Sequence, residues 1–477
     1  MKGNFALQIA SAEAQSMLMF DDEAKETRRA AIDALHAQTA IFTAGPVVDD
    51  LLDRLGWPHA ERRLVDPSCG DGMFLARALD RLLAGRPAGF EPGNMIEGWE
   101  IHEGACLDAR ARVAGVFAHH GHKPSRAAML AQRMVHNRDF LTEGPREPVF
   151  DLIAGNPPYL RAANVPTYLR EQYADHVPEY ASADLLYSFL DRCSRTLLPH
   201  GQIGLVTADR WLFNEGAARL RETLGGRVSV ASLERLDVET CFYRPKHRKA
   251  GSPPRIHPVA VVLKSGADGG IALSGQPIYP GVDASRYAGL KTLGEFAQVR
   301  IAPWLGTAGV FVVDASTARR LPPDSLVPCV DTDDIVAGKL GTPTRWAIRT
   351  NPREEPCKEI LEHLESQMHR MAARGRQGKL WVPPESFHAW DLSQPSLIVP
   401  RIATSPKAVR VPPHVLAINH NLSVVAGTEE QLALVEEALA SPLAAEWVKD
   451  HSPRLENGYF SLTTKMLRKL PMANLSV

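Results

Sequence analysis

From about residue 45 onward, short apolar runs alternate along the chain with segments whose apolar residues recur at helical spacing. This alternation is typical of repeated strand–helix units and predicts a mainly parallel sheet. Helices are predicted at 72–83, 105–116 and 184–198. Strands are predicted at 63–66, 95–100, 134–137, 150–154, 202–207, 229–236 and 258–264. Seven strands with intervening helices fit one doubly wound α/β domain.

A Gly-rich stretch at 265–275 interrupts this pattern and predicts a domain boundary. Beyond it, Pro-rich turns and isolated aromatic residues prevail, and helical periodicity returns at 355–374 and 428–449. A further helix is predicted at 22–38, before the sheet. The predicted organisation is an N-terminal helical segment (1–40), an α/β domain (41–268) and a C-terminal α+β domain (269–477).

The composition is that of an ordinary globular protein, with 44% hydrophobic and 23% charged residues. Residues 1–26 contain no compact apolar core with a cleavage site, and no 18 apolar residues run together, so we expect neither secretion nor a membrane span. The six cysteines form no CxxC pair, which argues against a zinc site and against a disulfide framework. We therefore expect a cytoplasmic protein with no metal and no membrane partner.

Charge is distributed unevenly, although the formal net charge is only −1. The first 160 residues are acidic, the remainder is mildly basic, and the segment 242–265 contains no acidic residue. A loop that contacts DNA phosphates and a solvated basic loop explain this segment equally well. The candidate phosphate contacts are Arg244, Lys246, Arg248 and Lys249.

Small residues and acids follow the first three predicted strands. After Asp66, the turn 67–72 lets a ligand approach the backbone at a helix N-terminus, although its spacing is not that of a dinucleotide site. Glu100 ends the second strand, where a carboxylate can accept hydrogen bonds from both hydroxyls of a ribose. Asp139, followed by Phe140, suits an adenine amino group and its ring. These positions together predict an adenosine pocket.

The fourth strand runs directly into Asn156-Pro157-Pro158-Tyr159. Two consecutive prolines fix the backbone and remove two donors, so nearby carbonyl oxygens are rigid acceptors. An amide oxygen and a backbone carbonyl together suit a neutral amino group, and an aromatic face suits a flat ring. Taken alone, the tetrapeptide is explained as well by a simple turn. Its position after the three preceding motifs favours a catalytic role.

The motifs DPSCGDG, GWEIH, RDF and NPPY occur in the order and spacing of gamma-type amino-methyltransferases. Residues 40–265 resemble these N6-adenine DNA methyltransferases. The resemblance implies a Rossmann-like seven-stranded methyltransferase sheet, a C-terminal target recognition domain and S-adenosylmethionine as cofactor. It implies that Tyr159 and Phe242 stack on the two faces of the target base. The implied cofactor-binding residues are Thr43, Asp66, Ser68, Gly70, Glu100, Ile101, Asp139, Phe140, Asn156 and Phe189.

The implied activity is methylation of N6 of an adenine extruded from double-stranded DNA, in a restriction-modification or phage-defence setting. Asn156 and the Pro157 carbonyl would accept hydrogen bonds from the amino group, and positioning rather than acid–base chemistry would supply the rate. A separate restriction endonuclease or a defence-complex subunit is a candidate partner. The alternatives are a DNA-binding recognition subunit with little turnover, and an NPPY enzyme that methylates protein glutamine or RNA guanine.

Overall fold

The computed structural model describes residues 24–59, 62–243, 257–266, 270–372, 378–452 and 458–473. The described residues divide into two compact units, the first ending at Gly281 and the second beginning at Val282. The predicted boundary between residues 268 and 269 lies outside the described residues. Among the described residues, no helix is long and apolar enough to cross a membrane.

The first unit contains an eight-stranded sheet and a separate strand pair. Its strands are β1 (Phe42–Thr43), β2 (Leu64–Asp66), β3 (Ile96–Trp99), β4 (Val135–His136), β5 (Phe150–Gly155), β6 (Leu197–Ala208), β7 (Val228–Arg235), β8 (Phe242–Tyr243), β9 (Pro258–Ser265) and β10 (Ile271–Ala272). The order in the large sheet is β10-β7-β9-β6-β5-β2-β3-β4, and β1 pairs with β8. All seven predicted strands are present, and the short β10 is an eighth that the sequence pattern did not predict.

The central part of the large sheet is parallel, because β2 pairs in parallel with both β3 and β5. β9 pairs antiparallel with β6 and with β7. The chain moves outward from β2 to β3 and β4, and then returns to the other side of β2 as β5. Such a reversal opens a crevice at the carboxyl ends of the strands, where open α/β sheets bind ligands.

Helices cover both faces of this sheet. They are α1 (24–39), α2 (Gly45–Arg54), α3 (Met73–Leu83), α4 (Glu103–His119), α5 (Pro124–Met134), α6 (Phe140–Glu143), α7 (Thr167–Ala174), α8 (Leu185–Thr196), α9 (Arg210–Phe213), α10 (Ala218–Gly225) and α11 (Val238–Cys241). Strand β9 shows why the sheet is buried on both sides. Its residues Val259, Val261 and Leu263 enter the apolar core beneath α8, whereas Ala260 and Val262 enter the core beneath α3.

The second unit is built from two four-stranded sheets with helices. Its strands are β11 (Gln298–Ile301), β12 (Val312–Asp314), β13 (Leu326–Val330), β14 (Ile335–Val336), β15 (Lys339–Leu340), β16 (Arg345–Ile348), β17 (Ser396–Pro400), β18 (Ile402–Ala403), β19 (Val409–Val411), β20 (Leu416–Ala417), β21 (Leu422–Ala426) and β22 (Phe460–Ser461). Its helices are α12 (Leu293–Phe296), α13 (Ala315–Ala318), α14 (Lys358–Gln367), α15 (Glu429–Ala440), α16 (Pro442–His451) and α17 (Thr464–Arg468). The sheet orders are β11-β21-β17-β19 and β12-β16-β13-β20, so the α+β prediction is confirmed.

Two predicted helices of this unit differ from the structure. The helix predicted at 428–449 is two helices, because Pro442 cannot continue α15 and instead starts α16. Ser441 caps the new helix by accepting a hydrogen bond from the Ala444 amide at 3.1 Å. Within 355–374, the α-helix is shorter than predicted, and one turn of 3-10 helix (Met368–Arg370) follows it.

Candidate active site

A cavity of about 880 Å³, including its open mouth, lies at the carboxyl ends of β2, β3 and β5. Residues from several separate loops line it, and they include every residue predicted to bind cofactor: Thr43, Asp66, Ser68, Gly70, Glu100, Ile101, Asp139, Phe140, Asn156 and Phe189. The reversal of strand order beside β2 brings the strand-end residues together, and Thr43 on β1 and Phe189 on α8 complete the set.

The loop after β2 presents its backbone to this cavity. The Asp66 Oδ1 atom accepts a hydrogen bond from the Ser68 amide at 3.0 Å, which tightens the turn. Gly70 and Gly72 have φ angles of 54° and 81°, in the left-handed region that favours glycine. A Cβ atom on Gly72 would lie 2.8 Å from the Ala109 Cα atom. Glycine at position 72 is therefore what lets α3 begin directly against α4.

Glu100 is the central acceptor of the cavity. Its Oε2 atom accepts from the Gly70 amide at 2.9 Å, and its Oε1 atom accepts from the His102 amide at 2.8 Å. Burial raises the pKa of Glu100 to about 7 and that of Asp66 to about 8. Buried carboxylates gain from every further donor that reaches them. The cavity therefore favours a ligand that carries hydroxyl groups or positive charge.

Asp139 lies after β4 and caps α6, where its Oδ1 atom accepts from the Leu141 amide at 2.9 Å. The Tyr173 hydroxyl, from α7, also donates to Asp139, and burial raises the pKa of this carboxyl. Tyr173 lines the cavity but was not predicted. No local sequence signal marks it, because it lies in an ordinary helix well beyond the NPPY motif.

An apolar wall also lines the cavity. The Phe140 and Phe189 rings are nearly parallel, with centroids 6.4 Å apart, and Trp99 meets Phe140 edge-on at 5.7 Å. Ile101 lies in the same loop as Glu100 and completes the wall. This arrangement provides a flat apolar surface beside hydrogen-bond acceptors, as a purine ring requires.

Thr43, in the two-residue pairing of β1 with β8, also lines the cavity. Its side chain is 3% exposed, and its Oγ1 atom has no hydrogen-bond partner among the described residues. A buried hydroxyl without a partner costs free energy unless a ligand satisfies it. Thr43 is therefore a donor or acceptor available to a bound molecule.

Asn156 lies at the edge of the cavity, directly after β5. Its Nδ2 atom donates to the Ile41 carbonyl at 3.1 Å, which fixes the amide plane and leaves Oδ1 as the acceptor. Pro158 also lines the cavity, and Pro157 is buried behind it. The Tyr159 hydroxyl hydrogen-bonds the Asn156 Oδ1 atom and lies 2.8 Å from the Val206 carbonyl oxygen.

Tyr159 lines a second cavity, of about 1460 Å³ with its open mouth. Asp184, Tyr187, Arg210 and Asn214 are among the other residues around it. The tetrapeptide thus separates two spaces: Asn156 and Pro158 border the first, and Tyr159 borders the second.

Phe242, predicted as the second stacking residue, lines neither of these two cavities. It packs against the apolar cluster that contains Cys241. The neighbouring Tyr243 donates its hydroxyl proton to Asp71, which also pairs with Arg112 at 2.6 Å. The structure therefore separates the two adjacent aromatic residues: Tyr243 braces the loop after β2, and Phe242 packs at the edge of the core.

The four predicted phosphate contacts, Arg244, Lys246, Arg248 and Lys249, lie outside the described residues. They directly follow β8 in the chain.

Helix α1 contributes residues that sequence reasoning missed. Leu35, His36 and Thr39 line the first cavity together with the predicted residues. The burial of Ile32 and Leu35 against the core agrees with the helical spacing of apolar residues in this segment. That spacing predicted the helix, but it gave no sign of the surface on which the helix packs.

The sequence is similar to known restriction-modification methyltransferases. Residues 123–242 match the Eco57I restriction-modification methylase family. The type II methyltransferase M.PaeR7I of Pseudomonas aeruginosa is 25% identical over 91% of this chain and 86% of its own, and M.XhoI of Xanthomonas vasicola is 25% identical over 90% of each chain. The predicted resemblance to restriction-modification methyltransferases is confirmed.

Among solved structures, the chain resembles the type IIL restriction-modification enzyme MmeI, solved in complex with DNA. The TM-score is 0.53 at 14% identity, and the match covers 88% of this chain and 63% of MmeI. The chain therefore spans less than two thirds of the length of MmeI. The likeness shows a shared fold, and the predicted Rossmann-like methyltransferase sheet is confirmed.

Proposed function

We propose that this relative of restriction-modification methylases transfers a methyl group from S-adenosylmethionine to N6 of an adenine extruded from double-stranded DNA. One observation carries the proposal. The predicted cofactor residues line one cavity, and Asn156, which borders that cavity, has its amide plane fixed by Ile41. The relatives named type II methyltransferases support methyl transfer to DNA, and MmeI, which was solved with DNA, supports DNA as partner.

The residues of the cavity fit S-adenosylmethionine, which supplies an electrophilic methyl group when bound. Glu100 would accept hydrogen bonds from ribose hydroxyls, and because burial raises its pKa, each further donor favours its ionised form. Asp139 accepts from the adenine amino group, while the wall of Phe140 and Phe189 covers the ring. The orphaned Thr43 hydroxyl donates to the carboxylate of the amino-acid portion.

On the target side, the Asn156 Oδ1 atom and the Pro157 carbonyl accept hydrogen bonds from the amino group of the flipped adenine. These bonds draw the nitrogen lone pair out of conjugation with the ring and aim it toward the first cavity, where the cofactor is proposed to bind. S-adenosylmethionine would supply the methyl group that becomes bonded to N6, leaving S-adenosylhomocysteine, and the proton released from N6 would pass to water. Orientation of the two reactants supplies most of the rate.

Tyr159 stacks on the extruded base, with Phe242 on the other face as the resemblance implies. Since the Tyr159 hydroxyl donates to the Asn156 Oδ1 atom in the structure, it must share or release that oxygen when the amino group of the base arrives.

Arg244, Lys246, Arg248 and Lys249 contact DNA phosphates in this proposal. All six cysteines are free, which suits a reducing cytoplasm, and a restriction endonuclease or defence-complex subunit is the proposed protein partner.

The proposal is tested by incubating the protein with methyl-labelled S-adenosylmethionine and, separately, with duplex DNA, RNA or cell protein. Digestion of each product identifies the labelled residue. We expect label in N6-methyladenine from duplex DNA. Label only in guanine of RNA or in glutamine would overturn the proposed substrate, and cofactor binding with no transfer would favour a recognition subunit.

A further inference from the structure

Helix α1 lies over the loops that follow β3 and β4. Arg29 pairs with Glu103 at 3.9 Å after β3, and Arg28 pairs with Glu143 at 3.8 Å after β4. Leu35 is 5% exposed and lies in the same apolar core as Phe140 and Phe189. The helix is therefore anchored to the two strand ends that carry Glu100 and Asp139.

His102 connects this helix to the loop after β3. Its Nδ1 atom accepts a hydrogen bond from the Ala105 amide at 3.1 Å, so the ring proton resides on Nε2. Nε2 lies 3.3 Å from the Asp33 Oδ1 atom of α1. The His36 ring lies parallel to the His102 ring, with an angle of 7° and a centroid distance of 3.8 Å. Asp33 and His36 are three residues apart, so one face of the helix contacts both the edge and the face of His102.

The same loop carries the carboxylate that borders the cavity. The His102 backbone amide donates to Glu100 Oε1 at 2.8 Å, and both histidine rings line the cavity. Restraining His102 therefore restrains the direction in which Glu100 presents its oxygens. This chain of contacts links α1 to Glu100, although α1 is not part of the sheet.

We infer that α1 is an integral wall of the cofactor site, in which Asp33 and His36 are positioning residues that set Glu100 through His102. The inference rests on the proposed function, because it takes the ligand to be an adenosine-bearing cofactor. It assigns a role to the N-terminal segment beyond methyl transfer itself: cofactor affinity depends on how this helix packs.

The test is a calorimetric titration of the full chain with S-adenosylhomocysteine, which binds without reacting. His36→Ala removes the stacked ring, and Asp33→Asn removes the charged partner of His102. We expect each variant to bind about 3- to 10-fold more weakly, from the usual strength of an aromatic pair or a partly exposed charged hydrogen bond. The KM for S-adenosylmethionine rises by the same factor, and kcat at saturating cofactor falls less.

Matched controls lie on the same helix. Gln38→Ala and Glu26→Gln alter exposed side chains away from the cavity and should leave affinity unchanged. His36→Phe retains a flat ring and should restore most of the affinity lost in His36→Ala, which separates stacking from simple damage to the fold. Thermal unfolding of each ligand-free variant checks that the chain is folded.

Affinities equal to wild type in both His36→Ala and Asp33→Asn overturn the inference. So does a loss in His36→Ala that His36→Phe does not restore. The proposed function fails separately. If the wild-type chain binds S-adenosylhomocysteine and the variants weaken binding, but the methylated product is not adenine in DNA, the role of α1 stands and the proposed substrate falls.

Discussion

The two sides of Asn156 differ in how completely the protein assembles them. On the side proposed to bind cofactor (the cofactor side), loops after several strands converge on one cavity with defined acceptors. On the target side, the Tyr159 hydroxyl occupies the Asn156 amide oxygen, and Phe242 packs at the edge of the core. Positions directly after parallel strands are set by the sheet itself. The proposed site for an extruded base, in contrast, would depend on side chains that bound DNA rearranges.

The sharpest test of this division is Asn156→Ala. Loss of the amide oxygen should reduce methyl transfer by about 10²- to 10³-fold, the usual cost of removing one key hydrogen-bonding group at a reacting centre. Affinity for S-adenosylhomocysteine, measured by calorimetry, should stay within about threefold of wild type, because the cavity retains its acids and rings. A matching collapse of cofactor affinity would reassign Asn156 to the cofactor side.

Tyr159 tests the target side alone. Tyr159→Ala removes the proposed stacking face and should lower kcat/KM for DNA by about 10- to 100-fold, as stacking is worth about 1–3 kcal/mol per base. Tyr159→Phe keeps the ring and frees the Asn156 oxygen, so its kcat/KM should remain within about threefold of wild type. If the phenylalanine variant is as impaired as the alanine variant, the hydroxyl and not the ring face is what matters.

The buried acids on the cofactor side should make the affinity for S-adenosylhomocysteine depend on pH. Burial raises the pKa of Glu100 to about 7, and the ionised form accepts ribose hydroxyls best. Affinity for S-adenosylhomocysteine should therefore rise as pH increases through this range, by up to about tenfold per pH unit below the pKa. Asp66, with a pKa near 8, and Asp139, with a raised pKa, line the same cavity and contribute to the profile.

Glu100→Gln is the control for that profile. This variant should bind S-adenosylhomocysteine more weakly than wild type at about pH 8. Its affinity should also lack the part of the pH dependence that is centred near pH 7. The stability of the ligand-free protein should depend on pH with the opposite sign. Ionising the buried Glu100 carboxyl costs free energy in the folded state. The free energy of unfolding is therefore greatest below the ordinary carboxyl pKa and declines as pH rises through about 7. A wild-type affinity that is flat across this range would contradict the assignment of Glu100.

The smallest expected effect is at Phe242. Because the ring packs on the apolar cluster in the structure, Phe242→Ala should lower kcat/KM for DNA by only about 3- to 10-fold, less than Tyr159→Ala. Tyr243→Phe is the matched comparison, since it removes the hydroxyl that bonds Asp71. It should alter cofactor affinity rather than the kinetics with DNA. Steady-state rates at varied DNA concentration distinguish the two.

The sequence predicted which residues line the first cavity better than it predicted the surroundings of Tyr159 and Phe242, for a physical reason. Asp66, Glu100 and Asp139 follow strands, and strand periodicity together with the parallel topology sets where strand ends meet. His36 and Tyr173 reach the same cavity from helices that are distant in sequence. Helical periodicity shows that such a helix has an apolar face, but it does not indicate which loop that face will cover.

The C-terminal unit shows the same limit. The pattern 428–449 looked like one helix because apolar spacing continues across it, and the proline at 442 divides it. The strand pairing in this unit joins segments far apart in the chain, as in the parallel pairing of β13 with β20. Local patterns do not encode such pairing.

The most direct measurement of the central claim uses chromosomal DNA from a bacterial host that lacks adenine methylases. The host expresses either the wild-type chain or Asn156→Ala, and the DNA is digested to nucleosides and analysed by mass spectrometry. If the central claim holds, N6-methyladenine is found with the wild-type chain and none above background with Asn156→Ala. Methylcytosine without N6-methyladenine, or equal N6-methyladenine from both chains, would contradict it.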